Sequence, residues 1–108
     1  MSARIFLSGA DVVLPDRIES GLTVVIEGGR IVDLVSGPRA IGQSELHIPM
    51  PGAIVVPGFV HVHVHGIDGL DVLDGAGAVS AVAAKLPRFG VTAFCPTSIA
   101  CPPDALSS

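Results

Sequence analysis

The stretch Phe59-Val60-His61-Val62-His63-Val64-His65-Gly66 constrains this chain more than any other, because valine and histidine alternate through it without a break. A period of two belongs to a strand, whose successive side chains point to opposite faces; on a helix the same residues would scatter around the circumference. The segment therefore reads as a strand over Phe59 to His65. His61, His63 and His65 share one face, and Val60, Val62 and Val64 share the other. The valine face suits packing beneath a helix. On the opposite face, imidazoles two residues apart lie roughly 6–7 Å from each other, near enough to converge on one cation. Neutral imidazole is a favoured ligand of Zn2+ and comparable divalent ions. Stacking three imidazoles on a buried face without partners costs roughly 1–3 kcal/mol per unpaired group. Two readings stay open on the residues alone: a metal-binding face, or an edge strand whose histidines are solvated. Gly66 ends the strand and permits a close backbone approach there.

Composition removes several classes of function. Six Lys and Arg against ten Asp and Glu give a net charge of −4, and no basic cluster interrupts the acidic balance, so a nucleic-acid footprint is excluded. Thirteen Gly and nine Pro are incompatible with a helical bundle. A mean hydropathy of +0.67 argues against disorder. Two cysteines, Cys95 and Cys101, make neither a disulfide scaffold nor a zinc ribbon. No apolar run approaches the roughly 18 residues of a membrane span, and the run after Arg4 is too short for a secretory leader. A reducing, cytoplasmic setting is the expectation, with no membrane partner. Charged residues make up only 15% of the 108, against roughly 25% in an average soluble domain. So short and apolar a chain reads as part of something larger, since small domains need proportionally more polar surface.

The grammar of the chain changes at Pro57. Before it, short β-rich runs (Arg4 to Leu7, Asp11 to Leu14, Leu22 to Glu27, Arg30 to Leu34, Leu46 to Ile48, Ile54 to Val56) are separated by turns. Gly28-Gly29 between two of them marks a β-hairpin. Ser36 to Ser44 reads as a loop. After Gly58, the histidine strand is followed by a helix expected from Asp74, as N-cap, to about Leu86, with Val79, Val82, Ala83 and Leu86 at helical spacing. Pro87 ends it, and Val91 to Cys95 forms a second strand. Strand, helix and strand within about 40 residues make a βαβ unit with parallel strands. Pro102-Pro103-Asp104 looks like the opening of another helix. The expected organisation is a β portion over 1–57 and an α/β portion over 58–108.

The run Val55-Val56-Pro57-Gly58-Phe59-Val60, followed by His63-x-His65-Gly66, resembles the first barrel strand of the amidohydrolase superfamily. In that family a Pro-Gly-Phe approach leads into Asp-x-His-x-His, whose two histidines bind a catalytic divalent metal. Gly90-Val91-Thr92-Ala93-Phe94-Cys95-Pro96-Thr97 is similar to the Gly-x-Thr-x-x-x-Pro-Thr second strand of one branch, the N-acetylglucosamine-6-phosphate deacetylases. The resemblance implies a mixed β and α/β fold. Residues 1–57 would form the N-terminal part of a small β-sandwich, and 58–108 the first βαβ unit of a (β/α)8 barrel. It implies His63 and His65 as metal ligands, Zn2+ as the ion, an amino-sugar phosphate as the small-molecule substrate, and a homo-oligomeric parent enzyme. The implied reaction is hydrolysis of the acetamide to acetate, with the cation activating water and polarising the carbonyl.

One position departs from the family pattern: His61 stands where the family has Asp, and no ligand role passes to it. No catalytic residue is assigned within the chain. The family's general acid/base Asp belongs to the last barrel strand, and a whole barrel needs about 250 residues where only about 50 follow Pro57. The 108 residues alone are therefore expected to be inactive. Two alternatives remain: a cyclic amidase of dihydroorotase or hydantoinase type, and a non-enzymatic, β-rich metal-binding module. Asp68, Asp71 and Asp74 read as solvated loop and capping residues, Thr97 and Ser98 as loop caps with a substrate contact as the sharper alternative. Cys95 reads as a buried small hydrophobe and Cys101 as a loop thiol.

Overall fold

Gly28 and Gly29 adopt φ values of 58° and 75°, the left-handed pair that a two-residue hairpin turn demands. They join β4 (Leu22–Glu27) to β5 (Arg30–Ser36) in antiparallel register, as the sequence leads one to expect. In this computed structural model, residues 3–37 and 42–107 are described. Residues 38–41 of the loop expected over Ser36–Ser44 lie outside them. The chain divides into two units, Met1–Pro57 and Gly58–Ser108.

In the first unit, β1 (Ile5–Ser8) pairs antiparallel with β4 and parallel with β6 (Leu46–Pro49), giving a four-stranded sheet in the order β5-β4-β1-β6. A second sheet runs β3-β2-β7, from β2 (Asp11–Val13), β3 (Ile18–Glu19) and β7 (Ile54–Val55). Val12 and Val55 of this sheet pack with Leu7, Leu22, Val24 and Ile26 of the larger one. Alternation places Phe6 and Val25, paired across β1 and β4, on the other face, and both are essentially inaccessible.

The second unit begins with β8 (Phe59–Val64), which pairs parallel with β11 (Val91–Pro96). Between them come a tight hairpin, β9 (Gly66–Ile67) with β10 (Leu70–Asp71), helix α1 (Ala78–Lys85), and a 3-10 turn, Leu86–Phe89. The parallel strand–helix–strand order agrees with the sequence reading. The helix does not start at Asp74. Gly75 and Gly77 take φ of 105° and 85°, which no right-handed helix can incorporate, so α1 begins at Ala78. The Asp74 carboxylate instead accepts the Asp71 N–H at 2.8 Å and closes a turn. Pro87 sits in the first turn of the 3-10 segment, and Gly90, at φ 81°, ends it. The expected last helix is a single 3-10 turn, Pro103–Leu106.

The apolar stripe of α1 is Ala78, Val82 and Leu86, which are buried, while Val79 and Ala83 are exposed. Val82 and Leu86 pack with Val64 and Val91, flanked by Ile67, Leu70, Val72 and Phe94. The valine face of β8 is thus only partly covered, contrary to expectation: Val64 is 5% exposed, but Val60 and Val62 are 66% and 73% exposed. An eight-residue helix is only about 12 Å long, and it covers the Val64 end of the strand. Val82 has no accessible surface. Val82→Ala is therefore expected to cost about 2 kcal/mol, from two lost carbons and the cavity they leave. The check is a lower urea midpoint at unchanged slope.

Candidate metal centre

The parallel pairing of β8 with β11 creates the site. Phe59 N–H donates to the Gly90 carbonyl at 2.8 Å at one end, and Thr97 N–H donates to the Val64 carbonyl at 2.8 Å at the other. Two irregularities in the register, between Val91 and Ala93 and between Phe94 and Pro96, are opposite in sense and cancel, so the pairing is in step at both ends. Two glycines make the geometry possible. A Cβ on Gly58 would run into the Thr92 side chain, and one on Gly66 into the Leu70 carbonyl oxygen. Val72 N–H, donating to the His65 carbonyl at 2.8 Å, ties the chain leaving the β9–β10 hairpin to the residue just past β8.

His63 and His65 meet at this strand end. Their rings are nearly perpendicular, at 86°, with centroids 4.7 Å apart, and their Nε2 atoms lie 3.0 Å from each other. Both side chains are exposed. Two nitrogens bound tetrahedrally to one Zn2+ would be about 3.3 Å apart, so the pair fits a shared cation with a movement of a few tenths of an ångström. The far nitrogen of His65, Nδ1, lies 2.7 Å from the Thr97 carbonyl oxygen. His61 is exposed and not drawn into the pair; its Nδ1 faces the His63 N–H at a long 3.4 Å. Among the described residues no group of three or more His, Cys, Asp or Glu is placed to hold one metal ion.

The remaining candidates sort as follows. Asp71 caps a turn by accepting the Leu73 N–H at 2.9 Å. Asp68 pairs with Lys85 and Arg88, at 3.4 and 2.5 Å. Thr97 contributes through its backbone, a role that residue type alone cannot announce. Ser98 lines a shallow cavity of about 210 Å3 with Val72, Leu73, Val79, Pro96 and Leu106. Cys95 is exposed, a correction to the buried reading: the helix packs on Val91 and Phe94 of β11, and Cys95, the next residue along the strand, is no part of that core. The fourth histidine, His47, is on β6 and bonds Ser8 Oγ at 2.5 Å.

No family model matches the chain. Its relatives among known proteins are nevertheless consistent. It is 35% identical over 86 residues to a protein of Rattus norvegicus named N-acetylglucosamine-6-phosphate deacetylase, and 33% identical over 88 residues to that of Homo sapiens. Each match covers 73% of this chain and 20% of the relative. The chain resembles the deacetylases of N-acetylglucosamine 6-phosphate. That resemblance, first carried by the two strand motifs, is borne out by these relatives. The chain spans about a fifth of the deacetylases' length. A dihydroorotase of Geotalea daltonii is 36% identical over 83 residues, covering 71% of this chain and 19% of that protein. The fold also matches the crystal structure of the deacetylase from Pasteurella multocida, with a TM-score of 0.84 over 96% of this chain and 28% of that one, at 16% identity. The deacetylase of Mycobacterium smegmatis, solved with N-acetyl-D-glucosamine-6-phosphate, matches at a TM-score of 0.71 and 20% identity, over 97% of this chain and 26% of that one.

Proposed function

We propose that these residues are the N-terminal part of a metal-dependent amidohydrolase that removes the acetyl group from N-acetylglucosamine 6-phosphate. The observation that carries the reading is the convergence of His63 Nε2 and His65 Nε2 to 3.0 Å at the strand end, in a chain whose relatives bear that name. Residues 1–57 would belong to the small β-sandwich of such an enzyme, and 58–108 to the start of its barrel. The enzyme would be a cytoplasmic homo-oligomer.

His63 and His65 would hold the ion, Zn2+ by the chemistry of the donors. A divalent cation there supplies Lewis acidity toward an amide carbonyl and acidifies water. The chain's own contribution is to bring two imidazole Nε2 atoms together at the end of β8, with Gly66 keeping a side chain out of the hairpin behind them. No described carboxylate stands beside the pair to hand a proton to a departing amine. General acid/base help is worth about 10²–10⁴ in rate, so the 108 residues alone should not turn over.

The test is acetate release from N-acetylglucosamine 6-phosphate with added Zn2+, comparing the purified chain with its His63→Ala, His65→Ala variant. No difference is expected between them. A longer polypeptide carrying the same residues should release acetate and lose that activity with either substitution. Turnover by the short chain near about 1 s⁻¹ would overturn the division of labour. A long form that opens a cyclic amide instead would establish the second reading, a dihydroorotase-like amidase, which the Geotalea daltonii relative favours.

A further inference from the structure

Beyond the ligand pair, the geometry points to Thr97 as a positioning residue that fixes which nitrogen of His65 faces the cation. This rests on the metal-site reading above. A carbonyl oxygen can only accept a hydrogen bond, so at 2.7 Å from the Thr97 oxygen, His65 Nδ1 must carry the hydrogen. A neutral imidazole protonated at Nδ1 leaves Nε2 as a bare lone pair, and Nε2 is the atom turned toward His63. The Thr97 carbonyl thereby sets both the tautomer and the ring orientation of His65, an arrangement that commonly supports metal-bound histidines.

Thr97 is itself held on two sides. Its N–H donates to the Val64 carbonyl at 2.8 Å, anchoring it to the residue before His65. Its hydroxyl donates to the Cys95 carbonyl at 3.0 Å, which restrains the bend where the chain leaves β11. The side-chain bond gives residue type a meaning here: serine keeps it, and valine, nearly isosteric with threonine, loses it. Among the described residues the far nitrogen of His63 has no such hydrogen-bond partner, so the two ligands are held unequally.

The experiment follows the imidazole nitrogens by proton–nitrogen correlation spectra of the full chain labelled in histidine, at a pH where the rings are neutral. His65 is assigned by its loss in His65→Asn, and zinc affinity is measured in parallel by chelator competition. In the wild type His65 should be the Nδ1-protonated tautomer. That measurement needs no variant, and an Nε2-protonated His65 overturns the proposal. Thr97→Ser should keep the tautomer and the affinity. Thr97→Val should give a tautomer mixture and about 10–100-fold weaker zinc binding. A purely structural role would weaken stability without moving the tautomer, so an unchanged His65 signal in a folded Thr97→Val also counts against the assignment. The two readings fail separately. Zinc binding that ignores His63→Ala removes the metal site while leaving the Thr97–His65 bond intact, whereas an Nε2-protonated His65 in a zinc-binding wild type removes only the positioning role.

Discussion

Gly66→Ala is expected to be among the most damaging single-atom-group additions in the second unit, lowering its thermal midpoint by about 12–24 °C. A Cβ at this position overlaps the Leu70 carbonyl oxygen and comes within 3.1 Å of Asp71 Cα, so the obstacle is backbone and cannot rotate aside. The β9–β10 pairing of Gly66 with Asp71 must open. Ile67, Leu70 and Val72, which lean on the core of Val64, Val82, Leu86 and Val91, would shift with it. Overpacking typically costs 1–3 kcal/mol, and a backbone collision belongs at the upper end, about 3 kcal/mol. At about 4–8 °C per kcal/mol for a small domain, that gives the stated shift. Gly29→Ala is the control. Nothing lies within 4 Å of its Cβ, and only its φ of 75° resists the substitution, at about 1–2 kcal/mol. Differential scanning calorimetry on both variants decides the matter: equal shifts would mean that the hairpin contact does not govern stability. Because Gly66 follows His65 directly, the same variant should also disturb the imidazole pair.

Zinc affinity should fall by about 10²-fold in His63→Ala and in His65→Ala, and should be unchanged in Cys101→Ala. Structural zinc sites with four ligands bind with about 10–16 kcal/mol, so an even share is about 3 kcal/mol per ligand, or about two decades of affinity. The same reasoning says that the wild-type chain, with two imidazoles and the remaining positions left to water, binds far more weakly than a complete site. Competition against a chromogenic chelator measures all four proteins under one condition. Wild type and His63→Ala with equal affinity would refute the ligand assignment. His61→Ala offers a sharper contrast, since its ring stands apart from the pair and its removal should leave affinity close to wild type. A loss equal to that of His63→Ala would show that all three alternating imidazoles act together.

Local pattern was enough for much of the fold. The Gly28-Gly29 hairpin, the histidine strand, the helix and the parallel return strand all follow from period-two or helical spacing and from turn residues, and they appear where expected to within a few residues. The β9–β10 hairpin was legible in principle, because Asp68-Gly69 is a strong turn pair and takes φ of 53° and 79°. Its strands are only two residues long, too short for any alternation to register. The helix starts later than its spacing suggests for a related reason. Asp74 has the chemistry of a cap, but Gly75 and Gly77 take left-handed conformations, and spacing cannot report φ.

For the site, alternation along one strand was enough to single out His63 and His65 as candidates to share a cation, and imidazole is the right chemistry for it. Alternation could not determine that the two Nε2 atoms converge, that His61 stays apart, or that the Thr97 carbonyl reaches His65. Those outcomes depend on the register between β8 and β11, in which residues more than thirty positions apart are brought side by side by backbone hydrogen bonds. The same holds for exposure. Val60, Val62 and Cys95 look like core residues in a list of side chains, yet whether they are covered depends on where an eight-residue helix lands on the sheet. Side-chain type and spacing are local properties written along the chain, whereas ring orientation, carbonyl placement and burial arise only when distant segments pack against one another.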